Sequence, residues 1–279
     1  MFGREKIEYK TPEQVACMRR AGLVVSAALE AVREAATAGT TTAALDAVAA
    51  TVIAEAGATA SFLGYEGFPA SVCVSVNDAV IHGIPGDRAL ADGDLVSVDC
   101  GAIVDGWHAD AALSFVVGGD AAADPRDLAL VQATEDALWA GVAALATADR
   151  LSAVADAVED SVTEAAERDG THYGIVEDYV GHGIGTAMHQ APDVLNYRTR
   201  ERGAKVRPGM CLAVEPMITR GDQLTQVCED DWTVVTRDGS RAAHHEHTVA
   251  VLEDGVWVLT APDGGAARLA ALGVQIAPV

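Results

Sequence analysis

Lysine is scarce: Lys6, Lys10 and Lys205 are the only three in 279 residues. Basic residues total 19 against 41 acidic ones, a net charge of −22. A chain so acidic has no electrostatic footprint for nucleic acid or for an anionic lipid surface, so neither is expected as a partner. Most of the charge reads as a solvated, solubilising surface. The shortage of lysine beside abundant alanine reads as compositional bias. Long apolar runs are lacking too. The longest stretch free of Asp, Glu, Lys and Arg is residues 179–192, which is too short for a bilayer-spanning helix. The first six residues contain no apolar segment of the secretory kind, so a cytoplasmic location is expected. No C-x-x-C pair occurs, and the five cysteines (Cys17, Cys73, Cys100, Cys211, Cys228) are odd in number. A zinc knuckle or a disulfide framework is therefore not expected, and buried free thiols are.

What is present is globular in character, half apolar and 22% charged. Thr11-Pro12-Glu13-Gln14 reads as a helix start, with Thr as N-cap, Pro at the first position and Gln as the returning cap. Apolar residues then recur at helical spacing through Val15, Met18, Leu23, Val25, Leu29 and Val32. A second helix is expected over residues 43–56, ending at Gly57. Strands are expected over residues 71–76, 95–99 and 107–117. The second half repeats this plan. It has a helix over residues 126–148, another capped by Ser152 and ending near Gly170, and strands over residues 175–180, 210–217, 232–236 and 247–252.

Local sequence echoes the repeat. His82-Gly83-Ile84 matches His182-Gly183-Ile184. Gly93 opens a strand that reaches an acid, Asp99, six residues on, as Gly209 does with Glu215; a further acid follows in each half, Asp110 and Glu246. Three matches in the same order imply two pseudo-symmetric ααβββ halves, about residues 11–120 and 124–259, with a site between them. No linker rich in Pro, Gly and Ser separates them, so residues 1–279 read as a single catalytic domain.

An Asp closing the apolar run Leu95-Val96-Ser97-Val98-Asp99 is costly to bury unless it is paired or metal-bound. Asp110 lies eleven residues on, with Gly101, Asp105 and Gly106 between as turn formers, so a hairpin can bring both carboxylates to one side; the alternative is two hairpin acids facing solvent. Gly181-His182-Gly183-Ile184-Gly185 sets an imidazole among minimal side chains, as a ligand or as a structural histidine in a turn. Val214-Glu215-Pro216 is another acid at the end of an apolar run. His244-His245-Glu246-His247 reads either as a histidine metal site or, because strand residues alternate faces, with Glu246 inward and His245 and His247 outward. Four carboxylates and one imidazole in one small volume need counter-charge, which two divalent cations would supply. Oxygen-rich ligation with one imidazole suits Mn, Co, Fe or Zn. A pair of such ions can hold a hydroxide and polarise a carbonyl, which makes amide hydrolysis the natural chemistry.

The chain resembles the type I methionine aminopeptidases of peptidase family M24, in their short bacterial form. The resemblance is carried by Leu63-Gly64-Tyr65, Phe68-Pro69-Ala70-Ser71-Val72-Cys73, His82-Gly83-Ile84-Pro85, Val98-Asp99, Gly106-Trp107-His108-Ala109-Asp110, Gly181-His182-Gly183-Ile184-Gly185, Val214-Glu215-Pro216-Met217, Asp231-Trp232-Thr233 and Glu246-His247-Thr248. It implies the α+β pita-bread fold, with the two halves around a curved antiparallel sheet. It implies two divalent ions (Co, Mn, Fe, Zn or Ni), with Asp99 on one, Asp110 and Glu246 bridging both, and His182 and Glu215 on the second. It also implies that Glu215 acts as general base on metal-bound hydroxide attacking the scissile carbonyl. His82 would contact the substrate amide nitrogen, and His189 the scissile carbonyl and its oxyanion. Tyr65, Phe68, Cys73 and Trp232 would line the pocket for the methionine side chain. The implied activity is removal of initiator methionine from nascent chains with a small second residue. Nascent polypeptide N-termini would be the partners, the ribosome a second candidate partner, and a monomer the expected state.

Some residues depart from the family pattern. Glu66 stands where relatives often carry His, Met188 where an aromatic is common, and Gly101 where a small polar residue is usual. No N-terminal zinc-binding extension is seen, and the 26-residue step from His189 to Glu215 leaves no room for the helical insertion of type II enzymes. The rival reading is a prolidase or aminopeptidase P of the same fold, which carries a large additional N-terminal domain. A non-catalytic module is the other, and such proteins lose metal ligands.

Overall fold

The computed structural model describes residues 6–278. Its helices are α1 (Pro12–Ala35), α2 (Thr42–Glu55), α3 (Pro125–Leu145), α4 (Ser152–Asp169) and α5 (Ala266–Ala271). Strands of the first half are β1 (Thr59–Ala60), β2 (Val72–Val76), β3 (Ala79–Ile81), β4 (Leu95–Val104) and β5 (Trp107–Val116). Those of the second are β6 (Gly174–Ile175), β7 (Gly181–Gly183), β8 (Gln190–Val194), β9 (Cys211–Val214), β10 (Met217–Thr219), β11 (Thr225–Val227), β12 (Val234–Thr236), β13 (Ala242–His244), β14 (Glu246–Leu252) and β15 (Gly255–Val258).

Helices α1, α2 and α3 begin where local chemistry satisfies free N–H groups. The Thr11 hydroxyl accepts from the Gln14 N–H, the Gln14 side chain accepts from the Thr11 N–H, and Pro12 occupies a position that needs no donor. Asp124 caps α3 by accepting from the Arg126 N–H, ahead of Pro125. Ser152 does not cap α4: it is the first helical residue, the N-cap is Leu151, and no side chain caps that end. The Leu151 side chain is buried in the core instead.

The main sheet has nine strands in the order β1-β4-β5-β14-β9-β7-β8, with β2 also on β4 and β15 also on β14. One apolar cluster joins α1 and α2 to β2, β4 and β5 through residues such as Val25, Leu45, Val98 and Ala111. A second joins α3 and α4 to β9, β14 and β15 through Leu138, Val158, Leu212 and Val249. The two helix pairs thus cover one face of the sheet, half by half. Burying each Leu or Val contributes about 1.5–3 kcal/mol relative to exposure. By length and composition alone α3 is apolar enough to cross a membrane, yet its apolar stripe packs on α4 and the sheet.

Strand alternation decides what the other face carries. Val96, Val98 and Cys100 of β4 point to the helices, so Ser97 and Asp99 point away. The strand expected over residues 95–99 runs on to Val104, so Asp99 sits in mid-strand. The run expected over residues 210–217 divides at Pro216, which has no N–H for a ladder; β9 stays in the main sheet and β10 joins a small sheet with β13 and β6. The run expected over residues 175–180 is strand only at Gly174–Ile175, and beyond the Val176 amide, which donates to the Met217 carbonyl, it leaves the small sheet. The ααβββ plan therefore undercounts strands, because several are only two or three residues long.

Candidate metal centre

Register puts three acids on one face. Asp99 pairs with Ala112, Gly101 with Asp110, and Glu246 with the same Ala112. Cross-strand partners and residues two apart share a face, so Asp99, Asp110 and Glu246 project together. The hairpin that aligns the first two turns on Asp105 and Gly106, both with positive φ. Glu215 follows β9 directly, one step beyond the His247–Val214 pair, and reaches the same face. His182 lies at the centre of β7, between β8 and β9. Its flanking glycines are sterically required, since a Cβ on Gly181 would collide with the Ala213 carbonyl and one on Gly183 with that of Ala191.

These five groups line a cavity of about 180 Å³. The same cavity is lined by His82, His189, Tyr65, Phe68, Cys73 and Trp232, so all eleven residues singled out above meet there, together with Phe62, Ile81, Glu66, Met188 and His244. One wall is apolar: Phe62, Phe68, Ala70, Cys73 and Met188 form a buried cluster with Tyr65, Ile84 and Trp232 packed against it. Met188 therefore keeps apolar bulk where an aromatic is usual in the family pattern. Gly101 gives Phe62 its place, because a Cβ there would stand 2.9 Å from the Phe62 ring. Glu66 is exposed at the rim, with φ of +46°. Of the five free cysteines, Cys73, Cys100 and Cys211 are buried, while Cys17 and Cys228 are only half-buried.

Among the described residues no Lys or Arg lines this cavity. The electrostatic result is large. Burial pushes Asp110 up to about 7 against its hydrogen bonds from Asp99 and the Ala111 amide. Burial, then the neighbouring carboxylates, raises Asp99, Glu215 and Glu246 well above the ordinary range. Burial lowers His182 to about 3, with His189 adding to the effect, so its ring is neutral. The His182 Nδ1–H donates to the Gly183 carbonyl at 3.0 Å, which leaves the Nε2 lone pair 3.3 Å from Glu215 Oε1.

The donor set fits divalent cations. Asp99 Oδ1, Asp110 Oδ1 and Glu246 Oε1 are buried without a hydrogen-bond partner. Ligand atoms of Asp110, His182 and Glu246 lie within 4.8 Å of one another, as do those of Glu215, His244 and Glu246. Carboxylate oxygens with neutral imidazole suit Mn, Co, Fe or Zn.

His245 and His247 line a different cavity with Trp139, on the helix side of the sheet. His244 was not assigned from sequence. The alternation that turns Glu246 inward also turns His244 inward, and that signal was available.

A curved antiparallel sheet that gathers four uncompensated carboxylates and neutral imidazoles beside an apolar pocket defines a metallohydrolase centre. The chain belongs to metallopeptidase family M24, whose model matches residues 16–253, and it has the pita-bread fold. It is 51% identical over 259 residues to methionine aminopeptidase 1 of Mycobacterium tuberculosis, covering 92% of this chain and 96% of that one. The crystal structure of methionine aminopeptidase from Thermotoga maritima superposes with a TM-score of 0.84 at 38% identity, covering 91% and 99% of the two chains. A prolidase from Pyrococcus furiosus shares the fold, with a TM-score of 0.69 at 20% identity; the match covers 91% of this chain and 65% of the prolidase.

Proposed function

We propose that this chain is a metal-dependent aminopeptidase that releases N-terminal methionine from peptides and nascent chains with a small second residue. One observation carries the reading: a buried, uncompensated set of carboxylate and imidazole donors adjoins an apolar pocket. The 51% identity to a methionine aminopeptidase supports the same substrate.

Asp99, Asp110, His182, Glu215 and Glu246 would hold two divalent cations. Bound there, the ions would supply Lewis acidity, polarising the scissile carbonyl and making water more acidic. Glu215 accepts the proton of the attacking water and passes it to the leaving amine. His189 rests against the Tyr65 hydroxyl, 2.8 Å from its Nδ1. With that hydroxyl donating, the proton of the neutral ring sits on Nε2, where it can donate to the developing oxyanion. His82 is held with φ of +57° and packs edge-on against Tyr179 and Trp232; burial lowers it to about 4, so it meets the substrate amide as a neutral ring. Tyr65, Phe68, Cys73 and Trp232, with Met188, enclose the methionine side chain. Glu66 stays exposed at the rim. The enzyme would act as a monomer in the cytoplasm, with nascent chains reaching it at the ribosome.

Release of Met from Met-Ala-Ser, abolished by a chelator and restored by Co, Mn or Fe, is the expected result. Cleavage of X-Pro substrates in preference to Met-Ala-Ser would overturn it in favour of a prolidase.

A further inference from the structure

His244 ends β13, opposite Met217 of β10, and is 2% exposed. Its backbone is pinned by Ser114, whose hydroxyl accepts from the His244 N–H at 2.9 Å and donates to the His244 carbonyl at 2.8 Å. The ring therefore has a fixed origin on the cavity wall. Its Nε2 is buried without any hydrogen-bond partner and lies 3.8 Å from Glu215 Oε2, too far for a hydrogen bond. Glu246 completes a trio whose ligand atoms lie within 4.8 Å of one another. An imidazole nitrogen facing two carboxylates finds a hydrogen-bond partner in neither. A cation among the three satisfies all of them at once.

We propose that His244 Nε2 is a direct ligand of the cation held by Glu215 and Glu246, so that the centre takes two imidazoles, His182 and His244, instead of one. The proposal rests on the metallopeptidase reading of this cavity. A second imidazole shifts the donor set from the carboxylate character that suits Mn toward the nitrogen character that suits Co, Fe, Ni and Zn.

Co(II) is the probe, bound to the full chain. Each imidazole bound through Nε2 carries an exchangeable Nδ1–H, which the paramagnetic ion shifts far from the diamagnetic NMR spectrum. Wild-type protein should show two such signals and His244→Gln one. The Co(II) affinity of one site should fall at least about tenfold in His244→Gln, with a smaller change for Mn(II). One shifted signal in the wild type, or two persisting in the variant, would overturn the proposal. If the variant does not fold, the wild-type count decides alone. The two readings fail separately: Co-dependent Met release with one shifted imidazole removes only the His244 ligand, whereas a chain that binds no Co(II) removes the metal centre and this ligand with it.

Discussion

Asp127 and three of the cavity carboxylates are buried alike and neutralised differently. Asp127, in the first turn of α3, has no exposed surface, yet Arg220 lies 2.6 Å from one of its oxygens and Arg241 holds the other. Asp110, Glu215 and Glu246 are 4%, 9% and 2% exposed, and no basic side chain lines their cavity among the described residues. The fold thus supplies arginines where an acid ties α3 to the loops after β10 and before β13. Where it withholds them, positive charge must come from solution. That contrast separates a structural acid from a candidate ligand more clearly than burial does, since burial is common to both.

The largest expected effect is at the acid in closest register with the rest. Replacing Glu246 with Ala should lower metal affinity beyond the ~10–100-fold that loss of an outer-sphere partner costs, and Met release should become undetectable. Circular dichroism should show an intact fold, because Glu246 belongs to no ion pair. Full activity in Glu246→Ala would break the contrast outright.

Much of this arrangement is legible in the chain, for physical reasons. The eleven-residue step from Asp99 to Asp110, with Asp-Gly at its turn, reads as a hairpin because a two-residue turn needs positive φ. Period-two alternation turns Glu246 away from His245 and His247. The same rule places His244 beside Glu246, but three histidines within positions 244–247 leave open which one matters. Other features need tertiary contact to be seen. β7 and β3 are three residues each, too short for any periodicity. Phe62 and Ile81 reach the cavity only because the chain folds back on β4 and β12. Arg220 and Arg241, the partners of Asp127, lie more than ninety positions along the chain from it.

His189→Ala ranks next. An oxyanion donor is typically worth ~10²–10³ in kcat, and the cations do not need this ring, so turnover should fall by about that factor with metal affinity unchanged. A loss confined to KM would assign His189 to ground-state binding instead. On the other side of the contrast, Asp127→Ala should cost about 3 kcal/mol in denaturant unfolding, at the low end for breaking a buried pair because both arginines are partly exposed. Metal affinity should not change. If Asp127→Ala were neutral in stability, burial with arginines would carry no more energetic weight than a surface pair.

Cation binding should stabilise the folded chain by about 2.7 kcal/mol at a hundredfold excess over Kd, read as a rise in Tm. The pH dependence of the chelated protein checks the cause. Because the folded-state pKa values of these acids are raised, they hold protons in the native state that the unfolded chain has lost between pH 4 and 7, while the buried histidines, lowered to about 3 or 4, act with the opposite sign. The carboxylate share is therefore read as a difference: the stability of the chelated protein should fall relative to the cation-saturated protein as pH rises through that window. A difference between the two that does not widen from pH 4 to 7 would show that the carboxylates are neutralised from within.

Glu8 supplies a third case, neutralised mainly by uncharged donors, and the smallest effect. Burial pushes its pKa up, but the Thr186 N–H at 3.1 Å and hydroxyl at 2.8 Å, with Lys10 nearby, bring it below the usual value. Thr186 lies in the turn between His182 and His189, so this contact ties the N-terminal segment to the loop that carries His189. The sign is opposite to that of the cavity. A lowered pKa contributes stability that is present above the unfolded-state value and lost as pH falls through the folded one. Thr186→Val removes the hydroxyl and keeps the N–H. It should cost about 1 kcal/mol at neutral pH, raise the Glu8 pKa seen by NMR titration, and flatten the loss of stability on the acid side. An unchanged Glu8 titration would mean that the Thr186 amide, the Gln190 side chain and Lys10 hold this acid without the hydroxyl.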